Sequence, residues 1–315
     1  MMMLRKLSAP FSGAGEVAAV IEACIPDAAM ASRLAALHET TFGRPRSPDY
    51  YHWQYTRCPG ESRLIVARAG ERIVGTIGIR RRQMASAITC GQIMDMIVTP
   101  DARGSGVFRD MILTADALMP DIQFSFAHAN VAGRNALIKS AEFKTIGQVA
   151  VLILARADAS EISRAARDGD IRSVLGADTR MEAGLERFSM GPAEYAWRFA
   201  GHPEYQYRHL LDGAFGPILI KEFQESGDKV VDMMTPFAGE ELEEILDLVM
   251  LGEPDWSRLH FWSASHLSSY KAARQLGFGY QQQQRYLVGR ANAAAASRLQ
   301  DFGNWMISAS DAEYM

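Results

Sequence analysis

Gln92-Ile93-Met94-Asp95-Met96-Ile97-Val98-Thr99-Pro100-Asp101-Ala102-Arg103-Gly104-Ser105-Gly106-Val107-Phe108-Arg109 carries more information than any other stretch of this 315-residue chain. Gln92–Val98 has the apolar content of a buried strand, and Pro100 closes it. The spacing predicts a helix from Val107 to Leu118, so the stretch runs strand, tight turn, helix. Glycines at 104 and 106 let the backbone curl and approach a ligand with no Cβ in the way. The first N–H groups of the next helix have no intrahelical acceptors and stand at its positive end. Such a turn binds a phosphate or pyrophosphate, and Arg103 adds a full positive charge beside it.

The neighbouring segments predict a mixed α/β sheet of about six strands. Working upstream, Arg63–Arg68 and Arg72–Arg82 form a hairpin across Ala69-Gly70-Glu71, preceded by a strand in Glu16–Cys24 and a helix over Ala28–Thr41. Downstream come a strand over Ile122–Ala127, a helix around Asn135–Ala141 and a strand over Gln148–Ala155. Asp158 to Asp178 is rich in Ala, Asp, Arg, Ser and Gly and reads as a polar linker.

Beyond the linker the chain echoes itself. Pro48, Tyr51, Trp53, Tyr55 and Pro59 recur as Pro192, Tyr195, Trp197, Phe199 and Pro203, every pair offset by 144 residues. Asp95-Met96 returns as Asp232-Met233, and the helix ending at Phe143 returns as one ending at Phe278. A duplicated domain accounts for this. The repeated aromatics read first as structural anchors, because both halves keep them, and second as a lining for an acceptor pocket.

Composition narrows the function classes. Hydrophobic residues are 48% and charged residues 22%, as in an ordinary globular protein. The longest apolar run, Val149–Ala155, is about a third of a membrane span, and Met1–Val17 lacks the apolar core of a signal peptide, so a cytoplasmic protein with no membrane partner is expected. Net charge is −4, which argues against a nucleic-acid partner. That figure hides an asymmetry: residues 1–157 hold 18 Lys+Arg against 13 Asp+Glu, and residues 158–315 hold 15 against 24. The first half, at +5, suits a polyanion. Cys24, Cys58 and Cys90 lie more than thirty residues apart and form neither a disulfide framework nor a metal clip, and no metal is expected.

The turn Arg103-Gly104-Ser105-Gly106-Val107-Phe108 resembles the Arg/Gln-x-x-Gly-x-Gly/Ala signature of the GNAT superfamily of acyl-CoA-dependent N-acyltransferases, with Val98-Thr99-Pro100 upstream as in many members. Asn130-Val-Ala-Gly-Arg-Asn135-Ala-Leu-Ile-Lys-Ser-Ala-Glu-Phe143 is similar to the superfamily's later strand-to-helix motif. The resemblance covers about residues 16–156 and reaches the second half through the repeat. It implies a duplicated GNAT-like α/β (α+β) mixed-sheet fold. Residues 1–157 would be the catalytic domain, 158–180 the linker, and 181–315 a degenerate second copy with a C-terminal tail. The implied activity is transfer from acetyl-CoA or another acyl-CoA to a primary amine of a small molecule or peptide, by direct attack; the alternative is a non-catalytic CoA-binding regulatory or assembly protein. A Rossmann or P-loop enzyme is disfavoured, since no Gly-Lys-Ser/Thr follows the turn and an antiparallel hairpin precedes it.

Three positions depart from the pattern: Phe108 stands where Gly or Ala is usual, Ile138 where many members carry a tyrosine acid, and Glu142 where Gly precedes the closing aromatic. The second half has Thr235-Pro-Phe-Ala-Gly-Glu-Glu241 where the phosphate turn should be, and its glutamates would repel a pyrophosphate. Through the resemblance, Ile97, Val98, Arg103, Gly104, Ser105, Gly106, Val107 and Phe108 are the cofactor-binding set, with Asn130 and Asn135 bonding the pantetheine or a water, or else capping a helix. Backbone N–H groups near Ile97 and Val98 would meet the oxyanion.

An alkyl amine must lose its proton before it attacks, so a base is needed. Asp95 is the first candidate: period 2 places it on one strand face with Ile93 and Ile97, and the alternative is a structural carboxylate, since Asp232 repeats it. His128 is the second, with an ordinary pKa suited to the task. Arg80-Arg81-Arg82 could reach an anionic acceptor but reads as a solvated charge run. Gln281–Gln284 carries no chemistry in the sequence, and the tail from Asn304, with two acids and two aromatics, is expected to dock on a domain or approach the acceptor cleft.

Overall fold

Asp27 and Gly43 bracket the first long helix, α1 (Ala28–Phe42): the Asp27 carboxylate accepts from the Met30 N–H at 2.8 Å, and Gly43 turns left-handed at φ +67° to end it. The computed structural model describes residues 5–6, 19–159, 185, 187–212, 216–225, 227–234, 241–252, 255–280 and 285–305. Most of the expected linker, residues 235–240, residues 281–284 and the tail from 306 lie outside the described residues. So do residues 7–18, and the strand expected from Glu16 is seen as β2 (Val20–Cys24), beside the short β1 (Arg5–Lys6).

After α1, Ser47 caps α2 (Pro48–Tyr55), whose aromatic side chains turn inward. β3 (Ser62–Ala69) and β4 (Arg72–Met84) form the expected hairpin, and β5 (Thr89–Val98) returns beside β4. α3 spans Val107–Leu118, as its periodicity predicts. β6 (Phe124–Ala129) runs two residues later than expected, and α4 (Val131–Ala141) begins four residues earlier, because Asn130 accepts from the Gly133 N–H at 2.8 Å and starts the helix there. β7 (Lys144–Ala155) follows. The second half contributes β8 (Phe188–Ser189), helical turns over residues 192–200, β9 (Gln206–Asp212), β10 (Gly216–Glu225), β11 (Asp228–Met233), a helix over Leu242–Gly252, β12 (Arg258–Ala264), a helix over Ser268–Gln275, β13 (Gly279–Tyr280) and β14 (Arg285–Ala291).

Among the described residues these strands form one continuous sheet, with backbone order β1-β2-β3-β4-β5-β6-β14-β7-β12-β11-β10-β9. Only β5–β6 and β11–β12 are parallel. The last strand of the chain, β14, lies between β6 and β7. β7 is long enough to serve both halves: its start pairs with β14, and Val149–Ala155 pairs with β12 on one edge while Leu152 and Ile153 meet β13 on the other. That stretch is the apolar run singled out in the sequence: Val149 and Val151 pack into one core cluster and Leu152 and Leu154 into another, so both faces of the strand are covered. Strand pairing therefore crosses residue 157, and the junction leaves no open sheet edge.

The sheet face that holds α3 and α4 buries Ile77, Ile79, Ile93, Met111, Ile112, Leu137 and Phe143. On the opposite face, α1 and α2 cover Leu64, Val66 and Met94, and a third cluster joins Cys90, Phe124 and Phe126 to Phe199, Trp262 and Trp305 of the second half. Cys24, Cys58 and Cys90 are free thiols.

Candidate functional site

Gly104 and Gly106 take φ of +84° and +89°, where any other residue is strained, and the space a Cβ would fill is open at both. Ser105 is held by its Oγ, which donates to the Ala102 carbonyl at 2.7 Å. Gly106 is the N-cap of α3 and offers no side chain to the first amides, while Val107 is buried and anchors the helix start. Phe108 is half-buried against the core, so its bulk turns away from the open side of the glycines. Arg103 is exposed, its Nε donating to the Val98 carbonyl at 3.2 Å. The Val107 N–H reaches the Ser105 Oγ at 3.4 Å, and the residues of this turn fit a pyrophosphate: open backbone, a helix N-terminus whose cap residue has no side chain, and a cation at the rim.

Immediately upstream the β4–β5 ladder slips. Thr76 pairs with Ile97 and Gly78 with Met94, so Asp95 and Met96 together oppose Ile77, a bulge with Asp95 at φ +48°. The expected period-2 alternation fails here. Ile93 belongs to the α3 face, but the bulge turns Asp95 to the α2 face, where Tyr55 Oη donates to it at 2.6 Å, Tyr50 Oη at 3.4 Å and Arg46 Nη1 at 3.0 Å. Thr76 Oγ1 donates to the Asp95 carbonyl at 2.9 Å and holds the bulge from β4. Gly78 makes room for the tyrosine, since a Cβ there would overlap the Tyr55 hydroxyl.

On its other edge β5 pairs with β6 only from Cys90↔Phe124 to Gln92↔Phe126; beyond that the two parallel strands part, while β6 stays paired with β14 along its whole length. The Thr99 N–H donates to Val74 on the β4 side, so strand alternation aims the Val98 N–H, and not that of Ile97, into this gap. Asn130 caps α4 at the far side, and Asn135 is exposed on α4.

His128 sits two residues past the last β5–β6 pair. It is buried, and neither ring nitrogen has a hydrogen-bond partner among the described residues. Burial, then the charges of Arg82 and Arg198, push its pKa down to about 3. Asp95 and His128 do not share a hydrogen-bond network: Asp95 belongs to Arg46, Tyr50 and Tyr55, whereas His128 stands among Phe126, Trp262 and those arginines.

Arg80-Arg81-Arg82 is not a solvated run. Strand alternation sends only Arg81 outward, to Glu61 and Asp121, and Arg80 and Arg82 inward, at 1% and 2% exposure. Gln92, Arg198, Arg46 and Tyr50 are buried residues here that the sequence did not single out, and for Arg80 and Arg82, read there as a solvated run, the 80/82 alternation within an apolar strand was the available signal. Ile138 is exposed on α4 and supplies no acid. Glu142, at φ +60°, occupies the left-handed C-cap where glycine is usual.

Among the described residues of the second half neither feature occurs: the β10–β11 register runs unbroken from Ile220↔Met233 to Glu225↔Asp228, and β11 stays paired with β12 through Met233↔Phe261. Asp232 is buried with Lys221 Nζ at 2.7 Å and His260 Nδ1 at 3.4 Å; burial alone would raise its pKa, but these partners hold it below the usual carboxylate range. No cluster of metal-ligating side chains occurs among the described residues, and no helix among them is long and apolar enough to cross a membrane.

A family model described as an acetyltransferase (GNAT) domain matches residues 28–130, which include the hairpin, the bulge, the turn and β6. Among solved structures, a GCN5-related N-acetyltransferase from Kribbella flavida is similar at TM-score 0.56 and 12% identity, over 89% of this chain and 73% of that one. A GCN5-related N-acetyltransferase from Anabaena variabilis is similar at 0.54 and 10%, over 85% and 72%. A conserved protein of unknown function from Enterococcus faecalis V583 is similar at 0.55 and 7%, over 86% and 72%. No curated protein matches the sequence. The chain thus has the α/β mixed-sheet GNAT fold, and the likeness extends through both halves.

Proposed function

We propose that the protein transfers an acyl group from acetyl-CoA or another acyl-CoA to the primary amine of a small molecule or peptide. The observation that carries this reading is a conjunction on one strand: the bulge at Asp95-Met96, the parting from β6 and the Arg103–Phe108 turn follow one another along β5 and its exit. An extended thioester needs all three, an anion site, a slot between strands and an amide at the acyl end. Acyl-CoA supplies an activated carbonyl; Gly104, Ser105, Gly106, Val107 and Phe108 would hold its pyrophosphate with Arg103, and the Val98 N–H would meet the oxyanion. His128 takes a positioning role in this reading: neutral and held near pKa 3, its imidazole can accept a hydrogen bond from the amine but is too weak a base to hold the amine proton, which leaves through water. We assign Asp95 to positioning: saturated by Arg46 and two tyrosines, it holds the bulge.

The two halves are read as copies of one unit that lend each other strands, the second having lost its cofactor slot. The first copy takes β14 from the second, and the second takes the end of β7 from the first. One observation favours a non-catalytic CoA-binding role, the exposed Ile138 where an acid would stand.

One experiment separates the readings. Acetyl-CoA titrated into the protein should bind, and Gly106→Trp should abolish binding without unfolding the chain; if the unmodified protein ignores acetyl-CoA, both readings fail. Thiol release across a panel of amines, amino sugars and peptides then decides transferase against sensor.

A further inference from the structure

The bulge that turns Asp95 toward α2 turns Met96 the other way. Counting by twos from Ile93 would have put a carboxylate on the α3–α4 face of β5. The slip puts Met96 there instead, with Val98 two residues on, and both side chains pack against that core. Met96 is half-buried, and its side chain crosses from β5 to the far wall of the gap. A Cβ on Gly133 would lie 3.3 Å from Met96 Cε and 3.4 Å from the Ala129 Cβ, so the tip of the methionine reaches the place where β6 ends and α4 begins. Such a reach takes a long unbranched side chain, and the bare backbone of Gly133 lets it approach.

The gap has a closed end and an open one. It is closed at Gln92↔Phe126, the last β5–β6 pair, and it opens toward Val98, from which the chain leads into the Arg103–Phe108 turn. On the acyl-transfer reading above, on which this inference rests, the pyrophosphate sits at the turn and the thioester carbonyl at the Val98 N–H. The acyl chain then runs on from Val98 toward the closed end. Met96 stands in its path, two residues or about 7 Å along an extended strand. We propose that Met96 is the floor of the acyl site and restricts the protein to short acyl groups, of the size of acetyl. The thioether is apolar, so this floor offers no partner to a charged acyl end such as a second carboxylate. Asp95 and Met96 thus divide one bulge between them: Asp95, anchored by Arg46 and Tyr55, fixes the backbone, and Met96 ends the slot.

Calorimetric titration of CoA, acetyl-CoA and hexanoyl-CoA tests this with no acceptor present. In the unmodified protein the Kd for hexanoyl-CoA should exceed that for acetyl-CoA by at least about tenfold. Met96→Ala should bring the two values together or reverse their order, while the Kd for CoA, which ends at the sulfur, stays within about twofold. Equal affinity of the unmodified protein for hexanoyl-CoA and acetyl-CoA overturns the proposal and leaves the acyl-transfer reading standing. An unchanged ratio in Met96→Ala has the same meaning, and so does an equal loss of affinity for all three ligands, which would make Met96 a packing residue only. If none of the three ligands binds the unmodified protein, the acyl-transfer reading itself falls and this proposal with it. Because Met96 packs against the core, the melting temperature of the variant is measured first. If alanine unfolds the chain, Met96→Val takes its place, shortening the side chain while keeping a strand-forming residue. It should lower the hexanoyl-to-acetyl ratio of Kd values at least about threefold, and an unchanged ratio overturns the proposal.

Discussion

The indole rings of Trp53 and Trp197 stack with centroids 4.3 Å apart and planes 12° apart, and each Nε1–H donates to the other residue's backbone carbonyl at 2.9 Å. These residues are 144 positions apart, the offset of the sequence repeat. The two bonds are equal and reciprocal, so the repeated aromatic segments anchor each other.

Truncating either indole should be costly. Trp197→Ala and Trp53→Ala each remove a buried ring and leave a carbonyl without its donor, for an expected loss of about 3–5 kcal/mol. Urea unfolding of both single variants and the double should show a double loss short of the sum by about the stacking energy, ~1 kcal/mol, because the first truncation already removes the ring stack while each indole bond is lost separately.

Asp95 separates a positioning role from a catalytic one. Its side chain and that of Arg46 are 5% and 4% exposed, and Asp95→Asn removes the carboxylate 3.0 Å from the buried guanidinium while the more distant Glu204, at 3.9 Å, stays, at a cost of about 3 kcal/mol. The melting temperature should fall along with kcat, and Arg46→Met added to Asp95→Asn should recover much of the stability. A hundredfold loss of kcat at unchanged melting temperature would instead make Asp95 the base.

Acid should unfold the protein early. Burial holds His128 and His202 near pKa 3 in the fold, against an ordinary value of 6.5. Between those values the unfolded chain binds the additional protons, so stability is complete above about pH 6.5 and is lost as pH falls toward 3. For His128 the loss reaches about 2 kcal/mol by pH 5. Denaturant midpoints at pH 7.5 and pH 5 measure it, and His128→Leu should flatten the dependence.

Strand exchange makes the first half incomplete alone. A fragment of residues 1–157 lacks β14, which pairs with β6 from Tyr286↔Ala129 to Ala291↔Phe124, and should be insoluble or oligomeric by size-exclusion chromatography. In the full chain, Gly289 is the sensitive point, because a Cβ there would run into Phe124 and Ile146; Gly289→Val should destabilise by about 1–3 kcal/mol.

Local signals were legible wherever the chemistry is local. The α3 boundaries, the β3–β4 hairpin and the glycine turn follow from side-chain periodicity and from the positive φ that Gly104 and Gly106 allow. The facing of Asp95 was not legible, because one extra residue in a ladder reverses every later side chain and nothing in Met94-Asp95-Met96 announces the slip. Arg80 and Arg82 looked like surface charge for a related reason: whether an alternating position faces water or protein depends on what packs over it, and here that is the second half.

By itself the sequence determined the mixed α/β class, most of the first half's elements other than the helix Pro48–Tyr55, the glycine turn and the internal repeat, since each is written in neighbouring residues or in a fixed offset. Only the tertiary structure decided that β14 completes the first sheet, that Trp53 meets Trp197, and that the buried arginines gather beside His128. Those contacts join residues over a hundred positions apart, and their energy comes from surfaces that exist only once both halves have folded together.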